Sequence, residues 1–138
     1  MLLVFVLSII MTAAIIVFHY YSLLYISDFA DKCDHHFLKS FSVVGMIFTI
    51  HIIEIVWYSA YIMVAYEYFG IQGFTKPFDG QWVDYLHLSS TSYTTLGAIS
   101  TSPVKELAIL IDFIALTGFM MLTWSATYYY NIFSNKED

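Results

Sequence analysis

The first 26 residues contain no Asp, Glu, Lys or Arg. About 20 mostly apolar residues in a helix cross about 30 Å of hydrocarbon, so a run of this kind dictates a membrane span before anything else is read. It lacks the basic leader and small-residue cleavage site of a signal peptide, and reads as a retained helix over residues 1–27. Two further apolar runs follow. Residues 41–69 form a second span ending in a Tyr-rich stretch typical of an interfacial belt, and residues 104–133 form a third, interrupted only by Lys105, Glu106 and Asp112.

The rest of the composition narrows the class. With 59% hydrophobic and 12% charged residues the chain has too little polar surface for a water-soluble globule. Its net charge of -6, with five Lys and no Arg, excludes nucleic acid as a partner, because phosphate binding needs clustered cations. A single cysteine, Cys33, cannot form an internal disulfide. Residues 28–40 hold three Asp, two Lys, Cys33, His35 and His36, and read as a polar connector. Its ligand spacing matches no zinc pattern, so a solvated loop is expected; His35 and His36 titrate near neutrality and could confer pH sensitivity.

Between the second and third spans, residues 81–93 are too short and too polar to cross. Gly70, Gly73, Pro77 and Gly80 break the preceding helix. Trp82, Tyr85 and Leu86 recur at helical spacing, and Asp79 and Asp84 fall near the start, where a helix dipole favours acids. A surface loop and a re-entrant half-helix both fit. The second implies a pore, because non-helical backbone at membrane depth survives only where it is buried in protein or lines water.

Directly after this segment comes Ser92-Tyr93-Thr94-Thr95-Leu96-Gly97, which resembles the T-x-T-T-V/L-G signature of the potassium-channel pore loop. Pro103 follows at the distance where that family carries a proline, and Gly118 lies about where it places an inner-helix hinge glycine. His51 and Glu54 ahead of Trp57 and Tyr61 look like small bacterial members with one helix added before the pore unit. The similarity covers most of the chain. It implies an all-α membrane protein, a homotetramer with three transmembrane helices per chain plus a re-entrant pore helix (81–93) and a filter loop (94–99), in a prokaryotic inner or plasma membrane. The outer helix would be 41–69, the inner helix 104–133, and the first span peripheral. By the same resemblance the filter opens outward, the connector and C-terminus are cytoplasmic, and no cofactor is needed beyond a permeant K+ or Na+.

Filters of this kind replace an ion's hydration shell with backbone carbonyls. The resemblance assigns that role to Thr94, Thr95, Leu96, Gly97, Ala98 and Ile99, with the cation at Thr95, Leu96 and Gly97. The outer half departs from the pattern. Ala98 stands where the family has tyrosine, Ser100 where it has Asp, and Ile99 where it has glycine, although a β-branched residue resists positive φ. Fewer outer sites imply weakened discrimination between potassium and sodium.

Other residues are candidates for support. Ser92, Tyr93 and Asp112 would support the filter, Asp112 either by bracing the loop from behind or by partnering Thr91, Ser92 or Thr94. His51, Glu54, Tyr58 and Tyr61 share an arc about 80° wide on the second span. An acid in mid-membrane turns inward to a partner, so Glu54 is expected in a buried polar network with His51 and Tyr58, as glue between helices or as a proton or metal site. Met120, Thr123 and Thr127, in line with Asn131, form the polar stripe expected to line a cavity, with a rotation centred on Ser125 as the alternative. Gly118 reads equally as a hinge and as a close-packing position. His19 is expected at the interface beside Tyr20 and Tyr21, and His87 packed against its neighbours.

Two other function classes compete with conduction. A non-conducting relative would use the altered filter for assembly or regulation. A membrane enzyme would use His19, His35, His36, His51 and Glu54 to hold haem or a metal pair, but these histidines are scattered without a repeated ligand motif, so no enzyme is expected.

Overall fold

A computed structural model describes residues 2–71, 73–74, 80–97 and 103–134. The described residues form four helices, α1 (Leu2–Asp31), α2 (His36–Glu67), α3 (Trp82–Tyr93) and α4 (Lys105–Ser134). α1, α2 and α4 are each long and apolar enough to cross a membrane. α3, at 12 residues, is about 18 Å long and falls short of the hydrocarbon thickness. α1 packs along α2 and α4, and α3 lies against α2 and α4.

The connector is shorter than the sequence suggests. α1 runs on to Asp31 and α2 begins at His36. Charged side chains beyond the hydrocarbon cost a helix little, so the polar flanks of both helices continue helical. Lys39 is buried at this end, its ammonium 5.7 Å from the centre of the Phe133 ring, and Ser40 and Tyr129 hydroxyls bond at 2.7 Å.

Polarity is inverted relative to a water-soluble bundle. Leu3, Ile10, Phe41, Phe48, Leu116 and Phe119 are exposed, whereas Ser8, His19, Glu54, Ser59, Thr117 and Ser125 are buried. An apolar solvent rewards this arrangement, since lipid contributes nothing to sequestering Leu but makes an unpartnered hydroxyl or carboxylate costly. Ile15, Tyr58, Ile62, Leu88, Leu110 and Ile114 fill one core where the helices meet, and Leu23, Ile26, Val43 and Ile50 fill a second nearer the α1–α2 turn.

α3 belongs to an excursion whose two ends meet. Val104 N–H donates to the Gly73 carbonyl at 2.5 Å, and Phe74 pairs with Pro103 in an antiparallel bridge. Gly73 must be glycine, because a Cβ there would collide with the Val104 carbonyl oxygen. From this clamp α3 runs back along α2. Tyr85 donates to Glu67 at the end of α2 (2.7 Å), Ser89 to the Ile55 carbonyl (2.8 Å), and Tyr93 reaches Glu54 near the middle of α2. α3 therefore stops about halfway along its neighbour.

Candidate functional site

The Gln81 N–H donates to the Asp84 carboxylate at 3.2 Å, which satisfies one of the N–H groups a helix start leaves open. Its far end is dense in hydroxyls, and each turns back on its own helix. Thr91 Oγ1 donates to the His87 carbonyl (2.8 Å), Ser92 Oγ to Leu88 (2.7 Å) and Thr94 Oγ1 to Ser90 (2.7 Å).

The chain then wraps the end of α3. Thr95 N–H donates to the Ser92 carbonyl (3.0 Å), while Leu96 and Gly97 N–H groups donate to that of Thr91 (3.0 and 3.5 Å). Residues 95–97 are exposed. With their N–H groups engaged by α3, the polar groups this main chain can present outward are carbonyl oxygens. Thr95 and Gly97 hold φ of 58° and 67°. The left-handed region is easy for Gly97 but costs a β-branched residue on the order of 1–3 kcal/mol, strain that concentrates at functional loops. The Thr95 hydroxyl donates to the Thr94 carbonyl at 2.7 Å, which leaves its lone pairs available.

Behind this loop sits a buried carboxylate to which three helices contribute. Glu54 of α2 is fully buried, with His19 Nδ1 of α1 at 2.8 Å from Oε1, His51 Nδ1 at 3.2 Å from Oε2 and the Tyr93 hydroxyl of α3 at 2.5 Å from Oε2. His51 Nδ1 is also 2.8 Å from the Tyr93 oxygen. On the other side of the His19 ring, Nε2 lies 3.1 Å from Ser125 Oγ of α4. With its proton on Nδ1, His19 donates to Glu54 and accepts from Ser125, so one side-chain network ties all four helices. A buried carboxylate is tolerated only with such partners. Tyr93, the last residue of α3, is the member of this network that leads to the loop.

Gly118 of α4 receives the same helix end. A Cβ there would collide with the Tyr93 carbonyl oxygen and crowd its ring, so Gly118 is a close-packing position between α4 and α3.

Several sequence expectations land elsewhere. His19 is fully buried at the centre rather than interfacial, because the helix rotation that turns Tyr20 and Tyr21 outward points it at Glu54. Tyr58 is buried but joins the cluster through its ring, 6.3 Å from that of Tyr93, not through a bond to the carboxylate. Asp112 is exposed on α4, and the hydroxyls expected as its partners donate to α3 carbonyls instead. The stripe of Met120, Thr123 and Thr127 is not displaced: all three are exposed on α4, while Ser125 is buried. His87 is exposed rather than packed. Ala98, Ile99 and Asp79 lie outside the described residues. His19 entered the sequence reading only as an interfacial residue or an enzyme ligand, and Ser125 only as the centre of an alternative α4 rotation; spacing did not join either to Glu54, because each stands on a different helix.

Outside the spans, burial, reinforced by the hydrogen bond and charge of Glu67, pushes the Tyr85 hydroxyl well above the ordinary tyrosine range, so it acts as a fixed donor. Comparison with protein-family models, curated proteins and solved structures finds no match to this chain.

Proposed function

We propose that this protein is the pore-forming subunit of a tetrameric cation channel with an atypical filter. The observation that carries the proposal is the half-length excursion between two crossing-length helices: α3 stops near the middle of α2, and the exposed main chain of Thr95, Leu96 and Gly97 follows with its N–H groups engaged. Such backbone has no partner in lipid, and four copies around a shared axis would supply one, with ions and water in place of protein donors. α3 would act as the pore helix, its negative C-terminal end aimed at the axis. Carbonyls of Thr95, Leu96 and Gly97, with the Thr95 hydroxyl, would form the inner sites for K+ or Na+. The exposed stripe of Met120, Thr123 and Thr127 on α4 would line the cavity below, and α1 would pack peripherally.

The purified protein in planar bilayers, with reversal potentials measured in mixed potassium and sodium, tests this reading. Cation current with modest preference between the two ions is the expected outcome. Silence under every cation gradient, with a tetramer present, would move the protein to the non-conducting class.

A further inference from the structure

The donor set around Glu54 has a second chemical capacity. Four donor atoms converge there: Nδ1 of His19, Nδ1 of His51, a carboxylate oxygen of Glu54 and the phenol oxygen of Tyr93. His19 Nδ1 lies 2.8 Å from Glu54 Oε1, while His51 Nδ1 and the Tyr93 oxygen lie 3.2 and 2.5 Å from Oε2 and 2.8 Å from each other. The histidine and carboxylate ligand atoms all lie within 4.8 Å of one another. Zn–N and Zn–O bonds of about 2.0–2.1 Å in a tetrahedron put neighbouring ligand atoms about 3.3 Å apart. Small outward movements of side chains would convert one arrangement to the other.

We propose that His19, His51, Glu54 and Tyr93 form a binding site for one divalent transition-metal ion of the Zn2+ class within each chain. Two further observations favour this over a purely hydrogen-bonded cluster. First, the outer partner a metal-bound imidazole needs is present, since with Nδ1 on the ion the His19 N–H moves to Nε2, 3.1 Å from Ser125 Oγ. Second, the charges close. One carboxylate and one phenolate balance a divalent ion, and the two imidazoles stay neutral, so an occupied site is uncharged in the bundle centre. The proton balance is one proton released per ion, from the Tyr93 hydroxyl, because each neutral imidazole still carries one proton, on Nε2 once Nδ1 binds the ion. Nitrogen and oxygen donors at this spacing suit Zn2+ or Co2+ and are too few for Ca2+ or Mg2+. The exposed tenth of the His51 side chain marks an edge by which an ion could enter.

The site does not depend on the pore reading, since a protein that conducts nothing could still bind the ion. The test uses the full chain in detergent, stripped with chelator and then equilibrated with Zn2+ or Co2+ alone. Expected results are one Zn2+ per chain by elemental analysis, the visible absorption of four-coordinate Co2+, and a rise in Tm with Zn2+. His19→Ala and Glu54→Gln should weaken binding by at least about 100-fold, and Ser125→Ala, which removes an outer partner but no ligand, by about 10–100-fold. A double His35→Ala, His36→Ala variant should bind as the parent does. Absence of stoichiometric metal in the parent overturns the proposal, as does binding that survives Glu54→Gln or is lost in the His35/His36 variant. Should His19→Ala fail to fold, the parent's Co2+ spectrum and the Ser125→Ala affinity still decide it.

Discussion

The Tyr93 hydroxyl lies 2.5 Å from Glu54 Oε2, and this one bond joins the end of α3 to the middle of α2. Because Tyr93 is followed at once by the strained turn at Thr95, the buried carboxylate sets where that exposed main chain begins. Tyr93→Phe should cost about 1–3 kcal/mol, the cost of leaving a buried acceptor short of a donor. Thermal unfolding in detergent measures it. A double-mutant cycle with Glu54→Gln should show coupling above about 0.5 kcal/mol; strict additivity would mean the two groups do not share a bond.

Gly118 and Gly45 make a matched pair. A Cβ at Gly118 strikes the Tyr93 carbonyl, whereas one at Gly45 meets nothing within 4 Å. Gly118→Ala should lower Tm by the several degrees that an overpacking cost of about 1–3 kcal/mol implies. Gly45→Ala should leave Tm unchanged or raise it, through the roughly 1 kcal/mol better helix propensity of alanine. Equal behaviour of the two would sink the close-packing account.

Gly97 tests backbone strain without steric interference. Its φ is 67° and nothing lies within 4 Å of an added Cβ. Gly97→Ala should cost about 1–2 kcal/mol from the left-handed conformation alone. Circular dichroism during thermal unfolding reads the stability, and the proposed channel activity should fall with it.

The Tyr85 to Glu67 contact sets a pH dependence. Burial and the Glu67 carboxylate raise the Tyr85 pKa in the folded protein above its unfolded value. The contribution to stability is therefore complete below about pH 10, the ordinary tyrosine value, and is lost as pH rises beyond it. Unfolding of the parent and of Tyr85→Phe should differ by a constant amount between about pH 6 and 9, and the difference should shrink above about pH 10. A difference that grows with alkalinity would reverse the assignment.

Selectivity provides the sharpest check on the proposed filter. If Ala98 and Ile99 remove outer ion sites, Ala98→Tyr with Ile99→Gly should shift the reversal potential toward potassium preference. An unchanged permeability ratio would place the cause elsewhere.

The amino-acid order alone determined the three long helices and the short one between the last two, but not the length of the α1–α2 break, which is residues 32–35 rather than 28–40. These follow from local quantities: the length of apolar runs, the glycines and prolines that stop a helix, and the spacing of Trp82, Tyr85 and Leu86. Glu54 was legible as a buried acid with His51 because the two lie one turn apart on the same helix. His19 and Ser125 were not, since they stand 35 residues before Glu54 and 106 residues after His19. Which face of α1 turns inward depends on how its side chains interlock with α2 and α4, and no period along one strand of sequence encodes that rotation. The same holds for Gly118, whose two readings separated only when the Tyr93 carbonyl was seen against it. Lengths and breaks are written residue by residue, but the meeting of one carboxylate with an imidazole and a phenol from other helices is a property of packing, and only the folded chain decides it.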